Sequence, residues 1–200
     1  MVHIFWDNSN IFIPARYAAA RRDGTLQELL VRIQFDNLYN LARAGRPVSS
    51  AICVGSVPPE LDAVWQRLRA VGVEVELYER GEESGREQGV DQCLQVHMLR
   101  RLVDTDTPGV AVLLTGDGAG YLDGVGFYAD LERMEQHGWG IEVISWDNAC
   151  NRKLKQWASQ AGVYVPLETF YPSVTFIEGG RRSTPLSLRA RRTSQPRMAS

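Results

Sequence analysis

The chain has 200 residues, of which 44% are hydrophobic and 23% charged, and its formal net charge is −2 at pH 7. This length predicts one domain with a possible appendage, and the apolar fraction is sufficient for a well-packed core. No apolar run reaches the roughly 20 residues of a membrane-spanning helix, and the amino terminus lacks a secretion signal. We therefore expect a cytoplasmic protein without a membrane partner.

The three cysteines, Cys53, Cys93 and Cys150, are far apart in the chain and form no Cys-x-x-Cys pair. An odd number at such spacings argues against a disulfide framework and against a zinc site. Buried free thiols in a reducing compartment are the expected state.

The charge is distributed unevenly along the chain. Residues 1–178 carry 16 basic and 24 acidic side chains, whereas residues 179–200 carry six arginines and no acid. Gly179, Gly180 and the following serines, threonines and prolines favour disorder. We predict a folded domain over residues 1–170 and a disordered, arginine-rich tail over residues 171–200. Such a tail either supplies positive charge for a polyanion or is simply a solvated terminus.

Short β-branched runs alternate with longer helical stretches along the chain. Strands are predicted over residues 2–6, 50–57, 73–78, 110–114 and 139–146, with a short sixth strand over 163–167. Helices are predicted over residues 25–44, 58–71, 90–102, 127–137 and 148–160, the first beginning at a capping box, Thr25-Leu26-Gln27-Glu28.

This alternation predicts a three-layer α/β/α fold with a central parallel sheet of five or six strands. A strand order of 3-2-1-4-5, counted over the predicted strands, makes the first and fourth strands neighbours where the order reverses. Ligands of such Rossmann-like sheets bind at that reversal, outside the carboxyl ends of the strands.

Three aspartates lie where predicted strands end or a helix begins. Asp7 ends the first strand, Asp117 follows the fourth, and Asp91 opens the helix before the fourth strand. Clustered carboxylates repel each other unless a cation neutralises them, and hard dications prefer oxygen ligands. This pattern predicts a Mg²⁺ or Mn²⁺ site and chemistry on phosphate esters. Turns and the helix macrodipole are the structural alternatives for these aspartates.

Five other polar residues are candidate contacts of the same site. Asn10 is spaced to hydrogen-bond a carboxylate and orient it. Thr115 is placed to contact a phosphate or a second carboxylate. The remaining candidates for substrate phosphates are Arg16, Arg21 and Arg22, which an exposed helix face explains equally well.

Three motifs, in this order and spacing, resemble the NYN branch of the PIN-like nucleases. They are Phe5-Trp6-Asp7-Asn8-Ser9-Asn10, Gly89-Val90-Asp91 and Leu114-Thr115-Gly116-Asp117-Gly118. The resemblance covers residues 2–167 and implies a PIN-like fold and a Mg²⁺- or Mn²⁺-dependent endoribonuclease. It further implies that Asp7, Asp91 and Asp117 are the metal-binding catalytic acids and that single-stranded RNA is the partner. A homodimer is compatible with the sequence.

Two departures from the family pattern leave a second function open. Members usually carry another aspartate two residues after the (Ser/Thr)-Gly-Asp carboxylate, where this chain has Ala119, or Gly126 if the following Phe is aligned instead. Many members carry an aspartate at the position of His97, which is either a general base or a packing residue. Asp123 is the candidate replacement for the missing metal-binding acid. The alternative function is a catalytically degenerate domain that binds RNA or protein.

Two other enzyme classes fit the sequence less well. A Rossmann dehydrogenase requires Gly-x-Gly-x-x-Gly after its first strand, but the glycines here follow the fourth. A haloacid-type phosphatase carries an acid two residues after its nucleophilic aspartate, where this chain has Ser9.

Overall fold

The structure is a computed structural model, and it describes residues 1–56, 62–78, 90–116 and 124–197. Its centre is a six-stranded parallel sheet with the strand order β4-β3-β1-β5-β6-β7. The strands of this sheet are β1 Val2–Asp7, β3 Val48–Ser56, β4 Glu74–Tyr78, β5 Val110–Leu114, β6 Gly140–Ser145 and β7 Val163–Pro166. Two short strands, β2 Val31–Ile33 and β8 Thr175–Ile177, pair antiparallel in a separate sheet.

Helices cover both faces of the central sheet. Those described are α1 Asn8–Arg22, α2 Phe35–Arg43, α3 Asp62–Ala70, α4 Val90–Asp104, α5 Phe127–Gln136, α6 Arg152–Ala161 and the single turn α7 Tyr171–Val174. Short 3₁₀ turns cover Thr25–Gln27 and Leu167–Phe170. None of the helices in the described ranges is long and apolar enough to cross a bilayer.

The residues of β1 show how the three layers are held together. All six are buried, and successive side chains of a strand point to opposite faces. Ile4 and Trp6 join the core beneath α1, α2 and α3, whereas Phe5 joins the core beneath α4, α5 and α6. The predicted three-layer α/β/α fold is therefore confirmed.

The predicted strand order is confirmed as well. The six predicted strands correspond to β1, β3, β4, β5, β6 and β7. The order 3-2-1-4-5 is observed as β4-β3-β1-β5-β6, and β7 adds the sixth strand beside β6. The order reverses between β1 and β5, so the carboxyl ends of these two strands are neighbours.

The predicted helix over residues 25–44 is wrong in its first half. The chain instead makes a 3₁₀ turn at Thr25–Gln27 and then strand β2, and α2 begins only at Phe35. Both Val31 and Ile33 are buried, and the strand pairs with β8, which lies more than a hundred residues later in the chain. Long-range pairing of β-branched residues thus overrides the local helix signal.

Helix α1 is absent from the predicted elements, because its sequence lacks the usual pattern of an amphipathic helix. Asn8, Ser9 and Asn10 favour turns, and Pro14 lies inside the helix. The buried side is made mostly of small residues such as Ala15 and Ala19 rather than of an obvious apolar stripe.

Helix α6 begins four residues later than predicted, since Asn151 caps it by accepting hydrogen bonds from the N–H groups of Lys153 and Leu154.

The carboxy-terminal residues contact the folded domain in the structure, although their composition favours disorder from residue 171. Beyond α7 and β8, Arg181 pairs with Asp23, and Arg191 is buried in an ion pair with Glu142. A prediction from composition depends only on the residues of the tail itself. It takes no account of the acidic partners, which lie far away in the chain.

Candidate functional site at the carboxyl edge of the sheet

Asp7 is a buried carboxylate at the carboxyl end of a central strand. Its exposed fraction is 1%, and it is both the last residue of β1 and the N-cap of α1. Its Oδ1 accepts a hydrogen bond of 3.0 Å from the backbone N–H of Asn10, and its Oδ2 accepts one of 2.5 Å from Asn10 Nδ2. Asn10 therefore holds both carboxylate oxygens in a fixed orientation. A carboxylate offers about four acceptor sites, so this cap is compatible with metal binding.

The glycine of the Thr-Gly-Asp motif lets β5 approach the first turn of α1. A Cβ added at the buried Gly116 would lie 2.2 Å from the carbonyl oxygen of Asn10, which no side chain tolerates. Gly55 near the end of β3 plays a similar part, because a Cβ there would lie 3.2 Å from the Cβ of Asn8. The ends of β3 and β5 thus close on the Asp7 turn from both sides.

Two buried polar atoms at this edge lack a partner within the described part of the chain. They are the hydroxyl oxygen of Thr115, a fully buried residue, and Oδ1 of Asn8. Burying such an atom without a hydrogen bond costs about 1–3 kcal/mol, so a water, an ion or another ligand is the expected partner.

Asp91 enters the same face of the sheet from α4. The helix packs on β1 and β3, and its buried side carries Leu94 and Met98. At about 100° per residue, Asp91 lies on the side of the helix that these two residues share. Phe5 on β1 belongs to the same hydrophobic core as Leu94 and Met98. Asp7 is two residues beyond Phe5 on this strand, so the two side chains are on the same face of the sheet. Asp7 and Asp91 therefore belong to the same side of the sheet.

The other predicted site residues are distributed differently. Asp117 and Asp123 lie outside the described residues. Arg16 pairs with Glu28 at 3.3 Å and is nine residues beyond Asp7, about 13 Å along α1. Exposed Arg21 and Arg22 lie at the far end of α1, about 20 Å from Asp7, and Arg22 stacks on the ring of Tyr171.

Most of the chain matches a known protein family. The model of the NYN domain family matches residues 1–165. The chain belongs to the NYN domain family. This family is one of PIN-like ribonucleases, so the resemblance seen in the three motifs is confirmed.

A solved structure supports the fold of this NYN domain. The crystal structure of a protein of unknown function from Vibrio parahaemolyticus matches with a TM-score of 0.58 and 17% sequence identity, covering 82% of this chain and 90% of that chain. At this identity the likeness shows the fold alone. No curated protein matches the chain.

The oxygen atoms described at the carboxyl edge of the sheet are suitable ligands for a hard dication. Asp7 supplies carboxylate oxygens, and the two partnerless oxygens belong to a hydroxyl and an amide. Oxygen donors of these kinds suit Mg²⁺ and Mn²⁺.

A second group of ionisable side chains lies between α4 and the edge strand β4. Glu76 accepts hydrogen bonds of 2.9 Å from Cys93 Sγ and 3.3 Å from the Tyr78 hydroxyl, and its other oxygen lies 2.9 Å from His97 Nε2. The bond from Cys93 is the largest of the effects that lower the pKa of Glu76. Burial, with the hydrogen bond to Glu76, raises the pKa of Cys93 to about 11.

His97 is thereby directed away from the side of α4 that carries Asp91. It lies about 120° around α4 from Asp91, on the side that faces β4. No sequence pattern indicates Glu76, because nothing distinguishes one glutamate of a strand from another. The spacing of Cys93 and His97, four residues apart on a predicted helix, was the available signal.

Proposed function

We propose that this NYN domain is a metal-dependent ribonuclease that hydrolyses phosphodiester bonds of single-stranded RNA. Asp7, Asp91 and Asp117 would hold Mg²⁺ or Mn²⁺, with Asp123 as the candidate fourth acid. The observation that carries the proposal is the buried Asp7 carboxylate at the point where the strand order reverses, oriented by Asn10.

The neighbourhood of Asp7 supports the same proposal. Asp117 is covalently attached to Gly116, which packs on the turn that contains Asn10. The buried hydroxyl of Thr115 and the buried amide oxygen of Asn8 have no hydrogen-bond partner among the described residues, which supports a site that takes a ligand. Asp91 belongs to the helix that packs on the same face of β1.

Each residue has a defined task in this proposal. The chemistry that a dication would supply, when held by these acids, is neutralisation of the phosphodiester charge and a lower pKa for a bound water. Asp7 and Asp91 contribute the negative charge that attracts the cation to this edge. Asn10 keeps the Asp7 carboxylate in one orientation, and Thr115 offers a hydroxyl to a phosphate oxygen or to a carboxylate. Arg16, Arg21 and Arg22, which lie progressively further along α1, would contact only phosphates remote from the scissile one.

The proposal is tested by incubating labelled single-stranded RNA with the full chain and Mn²⁺ or Mg²⁺, with and without EDTA. We expect cleavage that EDTA abolishes. Asp7→Asn should lower the rate at least about 100-fold, and Asn10→Ala about 10- to 100-fold, as loss of an orienting partner does. Asp104→Asn is the matched control, since it removes an exposed carboxylate at the opposite end of α4. Cleavage that survives EDTA, or a fully active Asp7→Asn variant, contradicts the proposal.

The second candidate is an NYN domain that binds RNA without cutting it. Two observations favour it. Gly126, one candidate position of the missing acid, caps α5 at a φ of 103°, and His97, at the other acid position, is engaged by Glu76. RNA that is retained by the wild type in a filter-binding assay, yet stays intact with either metal, would support this function over the first.

A further inference from the structure

A cluster at the edge of the sheet has the composition of a transition-metal site. Glu76, Cys93 and His97 each offer one ligand atom, and these atoms all lie within 4.8 Å of one another. We propose that this cluster is a second metal site, distinct from the aspartates, that binds Zn²⁺ through a carboxylate oxygen, a thiolate sulfur and an imidazole nitrogen.

The backbone arranges the three ligands without any long-range movement. Cys93 and His97 are four residues apart on α4, so their side chains lie one above the other on a single helix face. That face is turned to β4, the edge strand, where Glu76 reaches both of them at 2.9 Å. The site would therefore tie the edge strand to the helix that carries Asp91.

The distances suit a tetrahedral ion. Around Zn²⁺, oxygen, nitrogen and sulfur ligands are separated from one another by about 3.3–3.6 Å, given bond lengths of about 2.0–2.3 Å. The contacts between the carboxylate and its two partners are slightly shorter than this, and no pair exceeds 4.8 Å. Shifts of less than about 1 Å in side-chain ends would accommodate the metal, in which case the ion takes the place of the protons now shared in the hydrogen bonds.

The identity of the ion follows from the donors. Thiolate and imidazole select zinc-like ions, whereas Mg²⁺ and Mn²⁺ prefer an all-oxygen set such as that around Asp7. On binding, the thiol of Cys93 releases its proton to solvent, because a coordinated thiol is deprotonated, and His97 binds through Nε2 as a neutral imidazole whose proton is on Nδ1. One carboxylate and one thiolate then balance the two charges of the ion, which makes the nearby Arg100 tolerable.

The fourth position of the ion would face a pocket. A shallow cavity of about 400 Å³ borders the cluster and is further lined by Tyr78, Gln92, Val96 and Arg100. Three protein ligands with an open position are typical of zinc sites that hold water or an exchangeable ligand. The side chain of His97 is only 14% exposed and that of Glu76 34%, so the ligands are sheltered while the pocket stays accessible.

The decisive experiment uses Co²⁺ as a spectroscopic substitute for Zn²⁺ on the metal-free full chain. We expect a near-ultraviolet charge-transfer band, which requires a cobalt–thiolate bond, with an intensity that saturates at one thiolate-bound Co²⁺ per chain. The band should disappear in Cys93→Ser and persist in Cys150→Ser, the matched control for a buried thiol elsewhere. It should also persist in Asp7→Asn and in excess Mg²⁺, which separates this site from the proposed nuclease centre. A wild type without the band, a band that survives Cys93→Ser, or displacement by Mg²⁺ overturns the proposal.

A measurement of Zn²⁺ affinity extends the test to the other two ligands. By calorimetric titration, His97→Gln and Glu76→Gln should each weaken Zn²⁺ binding at least about 10-fold, and Cys93→Ser at least about 100-fold. Zn²⁺ at about a hundred times its Kd should raise the Tm of the wild type by about 5–10 °C. Wild-type affinity in all three variants contradicts the proposed ligand set.

Discussion

Strand β1 carries an ionisable side chain near each end, and the two have opposite requirements. Asp7, at the carboxyl end, is buried among hydrogen-bond donors that favour a negative charge. His3, at the amino end, is 5% exposed and shares one hydrogen bond with the hydroxyl of Ser50. Its ring packs edge-on against that of Trp139, with the two ring centroids 4.9 Å apart. An apolar neighbourhood with one neutral partner favours an uncharged imidazole.

The burial of His3 predicts an acid-sensitive fold. Burial, followed by the charges of Arg101 and the amino terminus, lowers the pKa of His3 from 6.5 to about 4. Because the unfolded chain binds the proton more readily, His3 contributes full stability above about pH 6.5 and loses it as the pH falls towards 4. Between pH 7.5 and 5.0 the wild type should therefore lose about 2 kcal/mol more than His3→Gln.

Urea denaturation at the two pH values checks this prediction. The relevant quantity is the difference between the two proteins, since other groups titrate in both of them. Equal losses of unfolding free energy in the wild type and the variant would show that His3 is not held neutral. Gln is the suitable replacement because it keeps a polar partner for Ser50.

At the scale of elements, the carboxyl edge depends on how closely β5 approaches α1. The carbonyl oxygen of Asn10 occupies the space that a side chain at Gly116 would need. Helix α1 can retreat only by moving Asn10, which orients Asp7. Packing and the geometry of the site are therefore coupled at this glycine.

Gly116→Ala should destabilise the protein by about 1–3 kcal/mol, as overpacking of a core does. We expect a Tm lower by about 3–10 °C and, if the proposed function holds, a matching loss of RNA cleavage. Gly180→Ala is the control, because its Cβ would come no closer than 3.2 Å to any atom, the nearest being Cγ2 of Ile177. A Gly116→Ala variant with the Tm of the wild type contradicts the close approach.

The strands were predictable from sequence because β-branched runs such as 110–114 are buried on both faces and read as continuous apolar segments. Strand β2 was not, since its partner β8 lies far away in the chain. The same difference between local and long-range information distinguishes Asp7 from Glu76. Asp7 was recognisable from its place at a strand end, whereas Glu76 gains meaning only when β4 is known to lie beside α4. Short-range patterns find the first kind of residue and miss the second.

At the scale of the whole molecule, the carboxy-terminal residues are attached through a buried charge network. Glu142 on β6 has a fully buried side chain and receives two hydrogen bonds from Arg46, at 2.6 and 2.8 Å. Arg191 pairs with the same carboxylate, and the backbone N–H of Ser194 donates to it at 2.7 Å. One acid thus joins β6, the α2–β3 connection and the end of the described chain.

Removing one cation from this network should be costly, because it leaves part of a buried charge uncompensated. Breaking a buried ion pair costs about 3–5 kcal/mol, and Arg46 still holds Glu142 in Arg191→Ala, so we expect a loss of about 3 kcal/mol and a Tm lower by about 6–12 °C. Arg189→Ala, which removes an exposed arginine two residues away, should change the Tm by less than about 2 °C. Equal Tm values for the two variants would mean that Arg191 is not buried against Glu142.

A double-mutant cycle with Glu142→Gln adds a second criterion, since residues in one network should show a coupling energy of at least about 0.5 kcal/mol. Strictly additive losses would assign the effect of Arg191 to packing of its aliphatic stem rather than to its charge.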